Sequence, residues 1–125
     1  MGLVLTTRPE TLTICRLAPD VDSPVWAMGA SFWSVTRTPD ELSVVVAKEC
    51  VPTGIRAEGA WRALKLAGPI PLSVVGILAS VAEPLAHARI NLFVVSTFDT
   101  DYVLVPADRL EDARRALSAV GHIAW

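Results

Sequence analysis

Ile90-Asn-Leu-Phe-Val-Val-Ser-Thr-Phe-Asp-Thr-Asp-Tyr-Val-Leu-Val105 is the stretch on which the fold turns. Its first eight residues put apolar side chains on both faces, the pattern of a central, covered strand. Residues 98–100 carry turn chemistry, and Asp101-Tyr-Val-Leu-Val105 brings the chain back, so the pair reads as a hairpin. Upstream, from about Ser73 to His87, the period changes. Ile77, Val81, Leu85 and Ala88 fall on one helical face. Pro84 interrupts that pattern, removes one backbone donor, and is expected to kink the helix or break its last turn. Before it, Trp61-Arg-Ala-Leu-Lys-Leu66 alternates as a strand does and stops at Gly68-Pro-Ile-Pro71. Downstream, Asp108 with Glu111 three positions on is a capping-box start. Leu110, Ala113, Leu117 and Val120 line one face, Gly121 is a C-cap, and 122–125 is a closing strand. Residues 61–125 thus read strand, helix, strand, strand, helix, strand, which is the split βαβ arrangement.

The N-terminal half is poorer in helix. Residues 1–10 read as a lead-in, and Thr11-Leu-Thr-Ile-Cys-Arg-Leu17 is a β-branched run of strand length. Pro19, Asp22 and Pro24 mark a loop. Ser31-Phe-Trp-Ser-Val-Thr-Arg37 and Leu42-Ser-Val-Val-Val46 flank Pro39-Asp40, whose proline presets φ for a turn, so they form a second hairpin. Trp33-Ser-Val-Thr-Arg-Thr faintly echoes Phe93-Val-Val-Ser-Thr-Phe, which suggests a duplicated half. The expected division is 1–60 and 61–125.

With 125 residues the chain has room for one good core or two small ones. Hydrophobic residues make up 52% and charged ones 19%, apolar for a chain this short. The longest apolar stretch, 72–82, contains Ser73 and Ser80 and falls short of the roughly 18–20 residues of a spanning helix. Arg8 and Glu10 rule against a signal peptide. The surplus apolar surface therefore points to self-association, a homodimer, and not to a membrane. The net charge of −2 comes without a basic stripe, which excludes a nucleic-acid partner. Cys15 and Cys50, far apart and unpaired in spacing, read as thiols of a reducing, cytoplasmic compartment. His87 and His122 read as residues near helix ends.

No catalytic set is visible: no nucleophile elbow, no phosphate-binding glycine loop, no zinc-protease motif. The chain is read as no enzyme, with no cofactor. Asp99 and Asp101 supply too few ligands for a metal. Two segments stand out. At Val75-Gly-Ile-Leu-Ala-Ser80 a glycine precedes a helix whose free N–H groups favour a carboxylate; a tight connection explains it equally. Ser96-Thr-Phe-Asp-Thr-Asp101 gathers hydroxyls, an aromatic ring and two acids able to hold a cationic group; a solvated turn is the plainer reading.

The run Val74-Val-Gly-Ile-Leu-Ala-Ser-Val-Ala-Glu-Pro-Leu-Ala86, followed by 90–105, resembles the ACT-domain proteins. It is similar to the cytosolic arginine sensors of the mTORC1 pathway and to small bacterial tandem-ACT proteins, relatives of aspartokinase regulatory domains. The resemblance covers about residues 70–120, and the first half resembles a partner half-module less sharply. It implies an α+β fold of ferredoxin-like βαββαβ modules, two in tandem, with antiparallel sheets and helices on one face. It also implies a small ligand, usually an amino acid, bound between modules. Carried over position by position, the ligand contacts are Gly76 and Ile77, through backbone groups, with Leu78 beside them. Thr97 and Phe98 then line the pocket, and Asp101 pairs with a cationic group. The arginine sensors have four modules and this chain has material for two, so an equivalent interface calls for a dimer. The Asp/Asn-Pro-Gly loop of many amino-acid-binding relatives is absent; Pro71-Leu-Ser-Val-Val-Gly76 stands there. The functional expectation is a non-catalytic regulatory protein that binds an amino acid. The alternative is a ligand-free scaffold that keeps the fold for dimerisation.

Overall fold

The computed structural model describes residues 2–125. In chain order the elements are β1 (Val4–Thr7), β2 (Leu12–Leu17), β3 (Trp33–Arg37), β4 (Leu42–Ala47), β5 (Arg56–Leu66), α1 (Ile77–His87), β6 (Phe93–Ser96), β7 (Asp101–Pro106), α2 (Leu110–Ala119) and β8 (Ile123–Ala124). Single 3-10 turns precede β5 at Lys48–Cys50 and α2 at Ala107–Arg109. Two compact units result: Glu10–Ala60, and Trp61–Trp125 together with residues 2–9. Strand β5 gives its residues 56–60 to the first and 61–66 to the second.

The 61–125 unit is the expected βαββαβ, from β5 through β8. Its strands lie in the order β6-β7-β5-β1-β8. All pairs are antiparallel except β1 with β8. Strand β1 corrects the expected lead-in. Leu5 pairs with Leu66 and is fully buried, while Val4 pairs with Ile123. Four residues are too few to show a period, which is why the strand is not visible in sequence. Leu5, Leu64, Leu66, Val103 and Val105 of the sheet meet Val81 and Leu85 of α1 and Leu110, Ala113 and Leu117 of α2 in one buried cluster. Both helices therefore cover one face, and the fold is α+β and ferredoxin-like.

Several local expectations need correction. Helix α1 begins at Ile77 and not near Ser73, because Gly76 at its N-cap sits at φ 85°, outside helical space. Pro84 lies inside α1, which continues through His87. A proline at that position leaves the Ser80 carbonyl without its intrahelical donor. The buried His122 ring fills the place, with Nε2 2.9 Å from Ser80 O. Its Nδ1 accepts the Leu3 N–H at 3.0 Å, so the neutral ring carries its proton on Nε2. Asp108 makes no cap. It sits within the 3-10 turn that runs straight into α2, whose N-cap is Arg109 with no side-chain cap bond. Glu111 instead pairs with Arg114 at 3.0 Å. Gly121 does end α2, at φ 97°. Its N–H bonds Ser118 O and that of His122 bonds Leu117 O, a Schellman ending. Strand β6 is not a central covered strand. It pairs only with β7 among the described strands, and Phe93, Val94 and Val95 are half-buried.

In the 10–60 unit β2 and β3 flank β4, all antiparallel. The hairpin turn is where Pro39-Asp40 places it, closed by Thr38 N–H to Glu41 O at 2.9 Å. Thr38 Oγ1 accepts the Asp40 and Glu41 amides, an ST-turn. Cys15, Ala27, Leu42, Val44 and Val46 form this unit's own buried cluster, and burial pushes the Cys15 thiol up. No α-helix occurs among the unit's described residues, as its helix-poor sequence leads one to expect.

Candidate functional site

Two segments of the 61–125 unit are held against each other by backbone. Ile70 N–H donates to Asp99 O at 2.6 Å, tying the stretch before α1 to the β6–β7 hairpin. The approach is close at Gly68, where a Cβ would lie 3.0 Å from Asp99 O and 3.3 Å from Thr100 Cβ. Only glycine fits there without displacement. The hairpin tip is locked by Thr97 N–H to Thr100 O at 2.8 Å. The buried Thr100 hydroxyl donates to Leu66 O at 2.7 Å.

Between the segments lies a cleft of about 290 Å³, near the lower end of the range for small-ligand sites. All six residues expected from the sequence line it: Gly76, Ile77, Leu78, Thr97, Phe98 and Asp101. The structure thus brings together two segments some twenty positions apart. It adds Ser96, Thr100 and an apolar wall that includes Ile70, Leu72 and Val74. Ser96 and Thr100 belong to the hairpin segment already singled out. Leu72 and Val74 carried no signal, since their exposure follows from the irregular path of residues 72–76.

The wall chemistry is asymmetric. On one side the first helical bond of α1 is Ser80 N–H to Gly76 O at 3.1 Å. The amides of residues 77–79 are therefore not used by the helix, no side chain caps them, and no acidic residue stands in the first turn. That end carries partial positive charge. Gly76 is needed for its φ of 85° and not for space, because nothing lies within 4 Å of a Cβ built there. On the other side Asp101, half-buried, accepts the Ser96 hydroxyl at 2.5 Å, which fixes one carboxylate oxygen and aims the group. The rim is apolar and open: Leu72 and Phe98 are 74% and 80% exposed.

A second cleft of about 250 Å³ runs past Ser80, Glu83, His87 and His122. Both ring nitrogens of His122 are already used in holding the fold. Among the described residues no group of three or more His, Cys, Asp or Glu side chains is placed to hold a metal. None of the described helices is long and apolar enough to cross a membrane.

The ACT domain family model matches residues 56–119, and a model describing an N-terminal domain matches residues 10–54. The human protein named CASTOR3P is 30% identical over 107 residues, covering 75% of this chain and 66% of that one. The human cytosolic arginine sensor for mTORC1 subunit 1 is 43% identical over 49 residues, covering 38% of this chain and 15% of the sensor. The chain therefore spans less than two thirds of either relative. Among solved structures, a crystal structure of an Agobacterium tumefaciens protein superposes with a TM-score of 0.93 at 37% identity, over 100% of this chain and 93% of that one. The regulatory subunit of aspartate kinase from Thermus flavus superposes with a TM-score of 0.63 at 15% identity, over 95% and 96%. At that identity the likeness is one of fold.

Proposed function

The chain belongs to the ACT domain family, and on that footing we propose that it is a non-catalytic regulatory protein whose cleft binds an amino acid. The observation that carries this reading is the pairing of opposite polarities across one small cleft. The uncapped start of α1 lies on one wall and the aimed carboxylate of Asp101 on the other. An amino acid presents an α-carboxylate and an ammonium group, the complement of those two walls. The similarity to an arginine sensor and to an aspartate kinase regulatory subunit supports the same class. In this reading residues 61–125 form the ligand-binding module, to which the N-terminal half-module of residues 1–60 lends strand β1. The protein acts in the cytoplasm as a homodimer. The apolar rim and the free thiols of Cys15 and Cys50 support those two points.

The test is a thermal-shift screen against the twenty amino acids at millimolar concentration. A ligand well above its dissociation constant is expected to add on the order of 2–4 kcal/mol and to raise Tm by several degrees. One amino acid, or one chemical class, is expected to do so. If none shifts the transition, the amino-acid reading fails and a ligand-free scaffold takes its place.

A further inference from the structure

The cleft between α1 and the β6–β7 hairpin is poor in charge. Among the described residues that line it, Asp101 is the only ionisable one. Asp99, the other acid of the hairpin, lines the neighbouring clefts and not this one. The hydroxyls along the wall have already given their protons. Ser96 Oγ donates to Asp101, Thr97 Oγ1 to Thr100 O at 3.1 Å, and Thr100 Oγ1 to Leu66 O at 2.7 Å. What remains is backbone and hydrocarbon, including Ile70, Leu72, Val74, Leu78 and Phe98. Four of these, Leu72, Val74, Leu78 and Phe98, are large apolar side chains that the fold leaves exposed, although a core lies under α1 and α2 to take such groups.

We infer that the ligand is an amino acid with an uncharged, apolar side chain, of the size of leucine or methionine, and that Leu72 and Phe98 select it. The inference rests on the amino-acid reading above and narrows it. The argument is one of charge balance. An α-carboxylate at the start of α1 and an α-ammonium on Asp101 use every charged partner the cleft has. A basic amino acid brings two cations to one carboxylate, and the second is desolvated against hydrocarbon. An acidic one brings a second carboxylate to a cleft whose one full charge is negative. A glutamine side chain needs a donor, and the lining hydroxyls are spent. An apolar side chain needs none of these. It covers the exposed wall and removes hydrocarbon from water on both sides of the contact. Leu72 belongs to the segment before α1 and Phe98 to the hairpin, so a side chain lying between them bridges the two segments that form the cleft.

Calorimetric titration of the full chain with norleucine, lysine and hexanoate is the test, because the three share one carbon skeleton. Lysine is norleucine with an ε-ammonium added, and hexanoate is norleucine without its α-ammonium. Norleucine is expected to bind tightest. Lysine is expected to bind at least about tenfold more weakly, the cost of its unpaired second cation. Hexanoate is expected to bind at least about 30-fold more weakly, because nothing in it meets Asp101. Asp101→Ala is expected to bring norleucine down to the level of hexanoate. Along 2-aminobutyrate, norvaline and norleucine, affinity is expected to rise about two- to fourfold for each methylene. Leu72→Glu puts a second acid on the wall at a residue that is already exposed. It is expected to leave far-ultraviolet circular dichroism unchanged and to narrow the gap between norleucine and lysine by about tenfold or more. Lysine or glutamate binding as tightly as norleucine to the wild type, affinity flat along the methylene series, or an unchanged preference in Leu72→Glu overturns the inference. The first two of these results leave amino-acid binding standing. Absence of binding by every one of these probes overturns the amino-acid reading and this inference with it.

Discussion

His122→Ala is expected to destabilise the protein by about 2–4 kcal/mol, the cost of leaving two part-buried backbone groups without a partner at about 1–3 kcal/mol each less partial rehydration. The reason is the proline inside α1. Residue 84 has no N–H to give Ser80 O, and Nε2 of His122 supplies the donor from 42 positions away. The same ring accepts the Leu3 N–H, so it also anchors the stretch leading into β1. Alanine removes both partners. The diagnostic variant is the pair with Pro84→Ala, which restores an intrahelical donor to Ser80 O. In that background His122→Ala is expected to cost about 1 kcal/mol less, a coupling within the range seen for groups that share one partner. Urea unfolding of the wild type, both single variants and the double variant measures it. Additive effects would show that the ring and the proline act independently.

Asp101→Ala is expected to weaken amino-acid binding by about 2–5 kcal/mol, the usual cost of truncating one partner of a desolvated charge pair, or roughly 30- to several-thousand-fold. Its effect on stability is expected to be small, within about 1 kcal/mol, since the half-buried carboxylate lies at a hairpin end and its hydrogen bond is to an exposed serine. That split between binding and stability distinguishes a ligand contact from a structural residue. Asp99→Ala is the control. Asp99 is an exposed acid two positions away whose side chain does not line the cleft, and its backbone carbonyl, which ties Ile70, is untouched by the substitution. Equal losses at the two positions would mean that general negative charge, and not the aim of Asp101, holds the ligand.

Much of this arrangement was legible because it is local. The period of β7, the apolar face of α2, the Schellman glycine and the Pro39-Asp40 turn each lie within a dozen residues. Gly76 and the Ser96–Asp101 hairpin stood out by composition, and the fold places both on one cleft. What was not legible depends on partners distant in sequence. Val4–Thr7 becomes a strand because Leu66 and Ile123 flank it. Pro84 stays inside a helix because His122 answers for it. Strand β6 reads as central because its residues are apolar on both faces, but among the described strands it pairs only with β7. Asp108 matches a capping box in spacing, yet a 3-10 turn continuous with α2 denies it the extended backbone a cap requires.

Amide chemical-shift mapping by two-dimensional NMR, with the amino acid that raises Tm most, locates the binding site on the chain. Perturbations are expected to concentrate at the amides of 76–79 and 97–101, to saturate together with one dissociation constant, and to be removed by Asp101→Ala. Perturbations concentrated instead along Ser80, Glu83, His87 and His122, or spread over the 10–60 unit with 76–79 unmoved, would contradict that placement.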